Sequence, residues 1–86
     1  MPWTETLPRD KRDKLAAALA EHGSEHVAYA GGDENYAGFL LAADVICRKQ
    51  IGVSIFDLAD YCWTDAYHDD MTPGDALRGA LAADGF

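Results

Sequence analysis

Residues 35–52, NYAGFLLAADVICRKQIG, constrain the fold of this chain more than any other stretch. Tyr36, Leu40, Ala43 and Cys47 recur at helical spacing, and Phe39 and Ile46 flank that stripe. Leu41 and Val45 add apolar surface on what should be the outer face, and a helix apolar nearly all round is usually buried between other elements. Asp44 stands four residues before Arg48, the favourable order for a helical ion pair, so it is predicted to mark a narrow strip facing water. Arg48 and Lys49 suit the negative end of the helix dipole, and Gly52 can take the left-handed conformation that ends the helix. A central helix is the expectation, and the rest of the chain must pack around it.

The chain in order supplies the partners. Residues 1–7 lack periodicity and read as a loose N-terminal arm, with Trp3 predicted to pack on the domain; the competing reading leaves the indole exposed for a partner. Thr6 and Pro8 suit the cap and first turn of a helix on which Leu15, Ala18, Leu19 and His22 share a face, ended by Gly23. Residues 24–34 read as a connector in which 26–30 could be extended, although one such run cannot build a sheet. Asp33 is an N-cap for the central helix. Beyond Gly52, Ser54 and Asp57 have capping-box spacing, and Ile55, Phe56 and Leu58 read as core. Thr64 is predicted to cap a short helix with Trp63, Ala66 and Tyr67 inward and Asp65, Asp69 and Asp70 outward. Thr72-Pro73-Gly74-Asp75 is the clearest helix start in the chain, with Ala76, Leu77, Ala80 and Leu81 on one face and Gly85 as its end; Phe86 could fold back onto the core. The predicted fold class is all-α: a small bundle of four to five helices around the central one, residues 8–86 forming a single domain behind the arm.

Charge narrows the function. The 86 residues carry a formal −8, and from Val53 onward seven Asp against the single Arg78 leave −6. Such a field repels nucleic acid and membrane surfaces and favours basic partners; the plainer reading is that it only keeps a small protein in solution. Four basic residues, Arg9, Lys11, Arg12 and Lys14, crowd the first helix, but Asp10 and Asp13 interleave with them, which is the pattern of a solvated face. The opening MPWTETLPRDKR lacks an apolar core and a cleavage site of the secretory kind, and the apolar run at 39–47 is too short to span a membrane, so the expected setting is cytoplasmic.

Catalytic and metal motifs are weak. His22 and His26 have the spacing of a helical metal pair, but Gly23 between them spoils it. Asp65, His68 and Asp69, with Cys62 nearby, share a face that an exposed acidic surface explains equally well, so no metal, no cofactor and no enzyme activity is predicted. Cys47, on the core stripe, reads as a buried thiol. Residues 57–70 form the best candidate surface. There Asp57, Asp60, Tyr61, Asp65, His68, Asp69 and Asp70 are the predicted partner-binding residues, carboxylates giving steering and aromatics contact area.

From residue 39 to residue 86 the chain resembles a group of short uncharacterised proteins of bacteriophages and bacteria, especially of high-GC hosts. The pattern is an apolar helix, then Gly52-Val53-Ser54, Asp57-Leu58-Ala59-Asp60-Tyr61, an aromatic turn at Trp63-Thr64-Asp65-Ala66-Tyr67, and a Thr-Pro-x-Asp-Ala start at 72–76. Cys62 and His68 lie outside the pattern, as do the first 38 residues. The resemblance implies a shared fold and a phage origin, and it brings no catalytic residue. Three readings follow: a phage-type accessory protein that binds a basic surface of a host protein in the host cytoplasm and modulates it stoichiometrically, a DNA mimic occupying a nucleic-acid-binding groove, or an assembly module.

Overall fold

Asp33 and Gly52 set the limits of the longest helix. In the computed structural model, which describes residues 3–58 and 61–85, helix α3 spans Glu34–Ile51. The Asp33 carboxylate accepts from the Tyr36 N–H at 3.1 Å, and Gly52 ends the helix at φ +78°. Before it come α1 (Arg9–His22) and α2 (Ser24–Tyr29); after it come α4 (Trp63–His68) and α5 (Pro73–Ala83). Trp3–Thr6 and Ile55–Asp57 are 3-10 turns, and no strand occurs among the described residues. The chain is therefore an all-α bundle, and α3 touches every other element.

The stripe on α3 is core. Tyr36, Phe39, Leu40, Ala43 and Cys47 are buried, joined by Ile55, Trp63, Ala66, Tyr67, Ala76, Leu77 and Ala80. Tyr36 stacks on Tyr67 with ring centroids 5.0 Å apart, and Phe39 meets the edge of Tyr67 at 5.5 Å. Helix α5 has its predicted start: Thr72 Oγ1 accepts from the Asp75 N–H at 3.2 Å, with Pro73 in the first turn. Ser54 and Asp57 form a reciprocal capping box, closing the turn that follows α3.

Several local expectations are corrected. Residues 26–30 are not extended: after Gly23 the helical bonding resumes, Val27 N–H to Gly23 O at 2.9 Å, because among the described residues no strand is present to take up the backbone groups of an extended run. Thr6 does not cap α1; its hydroxyl donates to Trp3 O at 2.6 Å, and Pro8 occupies the cap position without a side-chain bond. The start of the arm is not loose over its described part, since Thr4 is buried with its hydroxyl on Asn35 Oδ1 at 2.7 Å and Trp3 meets the ring of Phe39 at 6.3 Å. Thr64 lies inside α4, bonded to the Tyr36 hydroxyl at 2.9 Å, and Cys62 stands at the cap. On α1 the predicted apolar face is only half covered at Leu15, Ala18 and Leu19, and His22 is exposed. Phe86 lies outside the described residues.

Candidate functional site

Helix α4 sorts its side chains by helical phase. Trp63, Ala66 and Tyr67 are buried, while Thr64, Asp65 and His68 are exposed, and Asp69 and Asp70 continue the exposed side past the helix end. Burial raises the Tyr67 hydroxyl above its ordinary pKa, and the negative charges of Asp33 and Glu5 add to that. The other predicted residues divide. Asp57 is exposed but its carboxylate is engaged by the Ser54 N–H at 3.2 Å. Tyr61 is half-buried, edge-on to Trp63 at 5.0 Å and laid across Gly79 of α5, where a Cβ would strike the Tyr61 hydroxyl. Asp60 falls outside the described residues. His68 sits beside the ring of Tyr67 at 5.4 Å. Asp70 takes φ +59°, a left-handed conformation that Asp tolerates better than most side chains. The described members thus form an exposed acidic edge, Asp65, His68, Asp69 and Asp70, over an aromatic base.

The second constellation was hidden from sequence reasoning. Asp44 does not face water; it is 3% exposed. Its Oδ2 accepts from His26 Nε2 at 3.0 Å and from Arg48 Nε at 3.4 Å, and its Oδ1 accepts from the Ile55 N–H at 3.0 Å. Burial would raise the carboxyl pKa, but the bonds from Ile55, Ser54 and His26, with the nearby Arg48 charge, outweigh it and hold Asp44 below the usual carboxylate range. Asp44 thereby ties α2, α3 and the Ile55–Asp57 turn together. The Asp44–Arg48 pair was legible from the sequence; the burial was not, because His26 and Ile55 reach it from other elements. His26 is itself buried, with Nδ1 unpartnered among the described residues, and its ring lies 5.1 Å from Phe56. Cys47, also buried, has its thiol pushed up by burial and by the Asp44 charge.

Above this joint lies a cleft of about 270 Å³ whose lining includes Glu25, Leu41, Val45, Arg48 and Phe56. Among the described residues no group of three or more His, Cys, Asp or Glu is placed to hold a metal ion, and no helix is long and apolar enough to cross a membrane. Comparison with protein-family models, with curated proteins and with solved structures finds no match for this chain.

Proposed function

We propose that this chain works by binding: a small acidic accessory protein of phage type that occupies a basic surface of a host protein and modulates it stoichiometrically, without catalysis. The observation that carries this reading is the division on α4, where the aromatic side anchors the helix in the core and leaves Asp65, His68 and Asp69 outward on a short rigid support. Carboxylates held this way act at long range, raising association rates with basic surfaces and selecting against acidic ones. The same third of the chain carries seven Asp and one Arg, and that Arg78 is already paired with Asp75 at 3.0 Å. A DNA mimic requires carboxylates in long rows that imitate phosphates. A helix of six residues is only about 9 Å long. The short edge therefore favours a protein target over a nucleic-acid-binding groove.

The test is capture of the target from host extract by the wild-type chain and by an Asp65→Lys/Asp69→Lys variant. The helical spectrum should persist, because exposed charges contribute little to stability. Recovery of the target should fall at least about tenfold, and raising salt should produce the same loss with the wild-type chain. Equal recovery by the variant would reduce the acidic edge to a solubilising role.

A further inference from the structure

Among the described residues the large apolar side chains that remain exposed are Tyr29, Val45 and Val53. The first two stand around one ring. Tyr29 packs on Phe56 with ring centroids 5.6 Å apart, Val45 lines the same cleft as Phe56, and Val53 precedes Phe56 by three residues. Phe56 is half-buried, so α2, α3 and the Ile55–Asp57 turn together present an apolar surface with a hollow in it. The hollow is set in advance: the His26–Asp44 bond lies within it, and the Asp44 bond to the Ile55 N–H fixes the turn that carries Phe56. A surface already held in shape loses little freedom when it is covered.

Two opposite charges stand on the rim, from different helices. Arg48 of α3 touches Asp44 through Nε, yet its side chain is 62% exposed. Glu25 of α2 is exposed and forms no ion pair among the described residues. A basic or an acidic partner would be matched by a rim of one sign. Glu25 and Arg48, an acid and a base beside the apolar Leu41, Val45 and Phe56, are instead complementary to each other across a two-fold axis. We propose that this cleft is the interface of a homodimer, in which a two-fold rotation sets Glu25 of each copy against Arg48 of the other and buries Val45 and Phe56 between them. The acidic edge on α4 stays clear of it. Helix α4 meets α3 through Tyr36 and Phe39, whereas the cleft uses the later stretch from Leu41 to Arg48. The inference therefore stands apart from the proposed host target.

Sedimentation of the whole chain over a roughly hundredfold concentration range tests it, since self-association follows mass action. The mean mass should climb from 9.3 kDa towards twice that value. Val45→Asp should raise the dimer dissociation constant at least about tenfold while leaving the helical spectrum intact, because Val45 is already exposed. Glu25→Arg and Arg48→Glu should each weaken association, and mixing the two variants should restore it, since every cross-pair is then of opposite charge. Arg48→Glu brings a second carboxylate near Asp44, so its melting is checked first; if it does not fold, Val45→Asp and Glu25→Arg decide. A mass fixed at 9.3 kDa throughout, a dimer indifferent to Val45→Asp, or a mixture of folded variants that stays apart overturns the proposal. The fixed mass would leave the cleft to a partner of different sequence.

Discussion

Helices α1 and α5 flank the same central helix and share a vocabulary of alanine and leucine, yet α5 buries Pro73, Ala76, Leu77 and Ala80 while α1 buries none of its residues. The difference begins in sequence. Helix α1 opens with RDKRDK, so its first turns offer nothing apolar, and only Leu15, Ala18 and Leu19 can turn inward. They do so incompletely, leaving beside α2 and the start of α3 a groove of about 430 Å³ lined by Leu15, Leu19 and Val27. Helix α5 interleaves small Ala76 and Ala80 with Leu77, which lets it approach the core closely. The two flanks are also held by different forces. On the α4–α5 side the buried contacts are rings and methyl groups, with the Thr64–Tyr36 hydroxyl bond beside them; on the α1–α2 side a deeply buried anchor is polar, His26 on Asp44. A central helix can thus recruit its neighbours by apolar area or by a satisfied buried carboxylate, and each leaves a distinct signature under perturbation.

The largest effect should come from the polar joint. Asp44→Ala strips the acceptor from His26, Ile55 N–H and Arg48 at once and should cost about 3–5 kcal/mol, the range for breaking a buried pair on one side. Denaturant melts would show it. Acid supplies the same comparison without a truncation. Because the folded carboxyl titrates below its unfolded value, the unfolded chain binds the extra proton in that interval. The stability from Asp44 is therefore fully present above the unfolded pKa, near 4, and disappears as pH falls through the lower folded value. The gap in melting temperature between wild type and Asp44→Asn should narrow as pH drops below about 4. A gap constant down to pH 2 would mean that the joint is not held by the ionised carboxylate.

Next in size is the apolar comparison. Leu77 is 1% exposed, and Leu77→Ala should cost about 2–5 kcal/mol through lost burial and a cavity. Leu19 is only half-buried, and Leu19→Ala should cost about 1 kcal/mol, since less area leaves water in the first place. Equal losses at the two sites would show that α1 is held as firmly as α5.

What the sequence disclosed follows the same divide. Asp33, Gly52, Ser54 with Asp57, and Thr72 with Pro73 act on backbone within a few residues, so their roles were legible. The inward Trp63 and Tyr67 and the outward Asp65 and Asp69 were legible too, because helical phase alone separates them. Helix α2 was not: six residues have little intrinsic helicity, and what fixes them is His26 meeting a carboxylate 18 positions away. The burial of Asp44 failed for the converse reason. Its local partner Arg48 pointed to a surface pair, and the donors that allow burial come from His26 and Ile55. The cleft around Phe56 was equally invisible, for Glu25, Val45 and Phe56 meet only in the folded chain.

The smallest expected effect tests the two helix starts directly. Thr72 Oγ1 accepts from the Asp75 N–H, satisfying a backbone donor that would otherwise lack a partner at the start of α5. Thr6 stands three residues before α1, where its hydroxyl closes the Trp3–Thr6 turn, and α1 begins with no side-chain cap. Thr72→Ala should therefore cost about 1 kcal/mol, as loss of a helix cap does. Thr6→Ala should stay within about 0.5 kcal/mol, the range of an ordinary surface change. Amide exchange adds the local readout: Thr72→Ala should quicken exchange in the first turn of α5, and Thr6→Ala should leave α1 as it is. If Thr6→Ala costs as much as Thr72→Ala and speeds exchange across Arg9–His22, then α1 depends on the short turn before it, and its weak hold on the core would lie in its packed face rather than in its uncapped start.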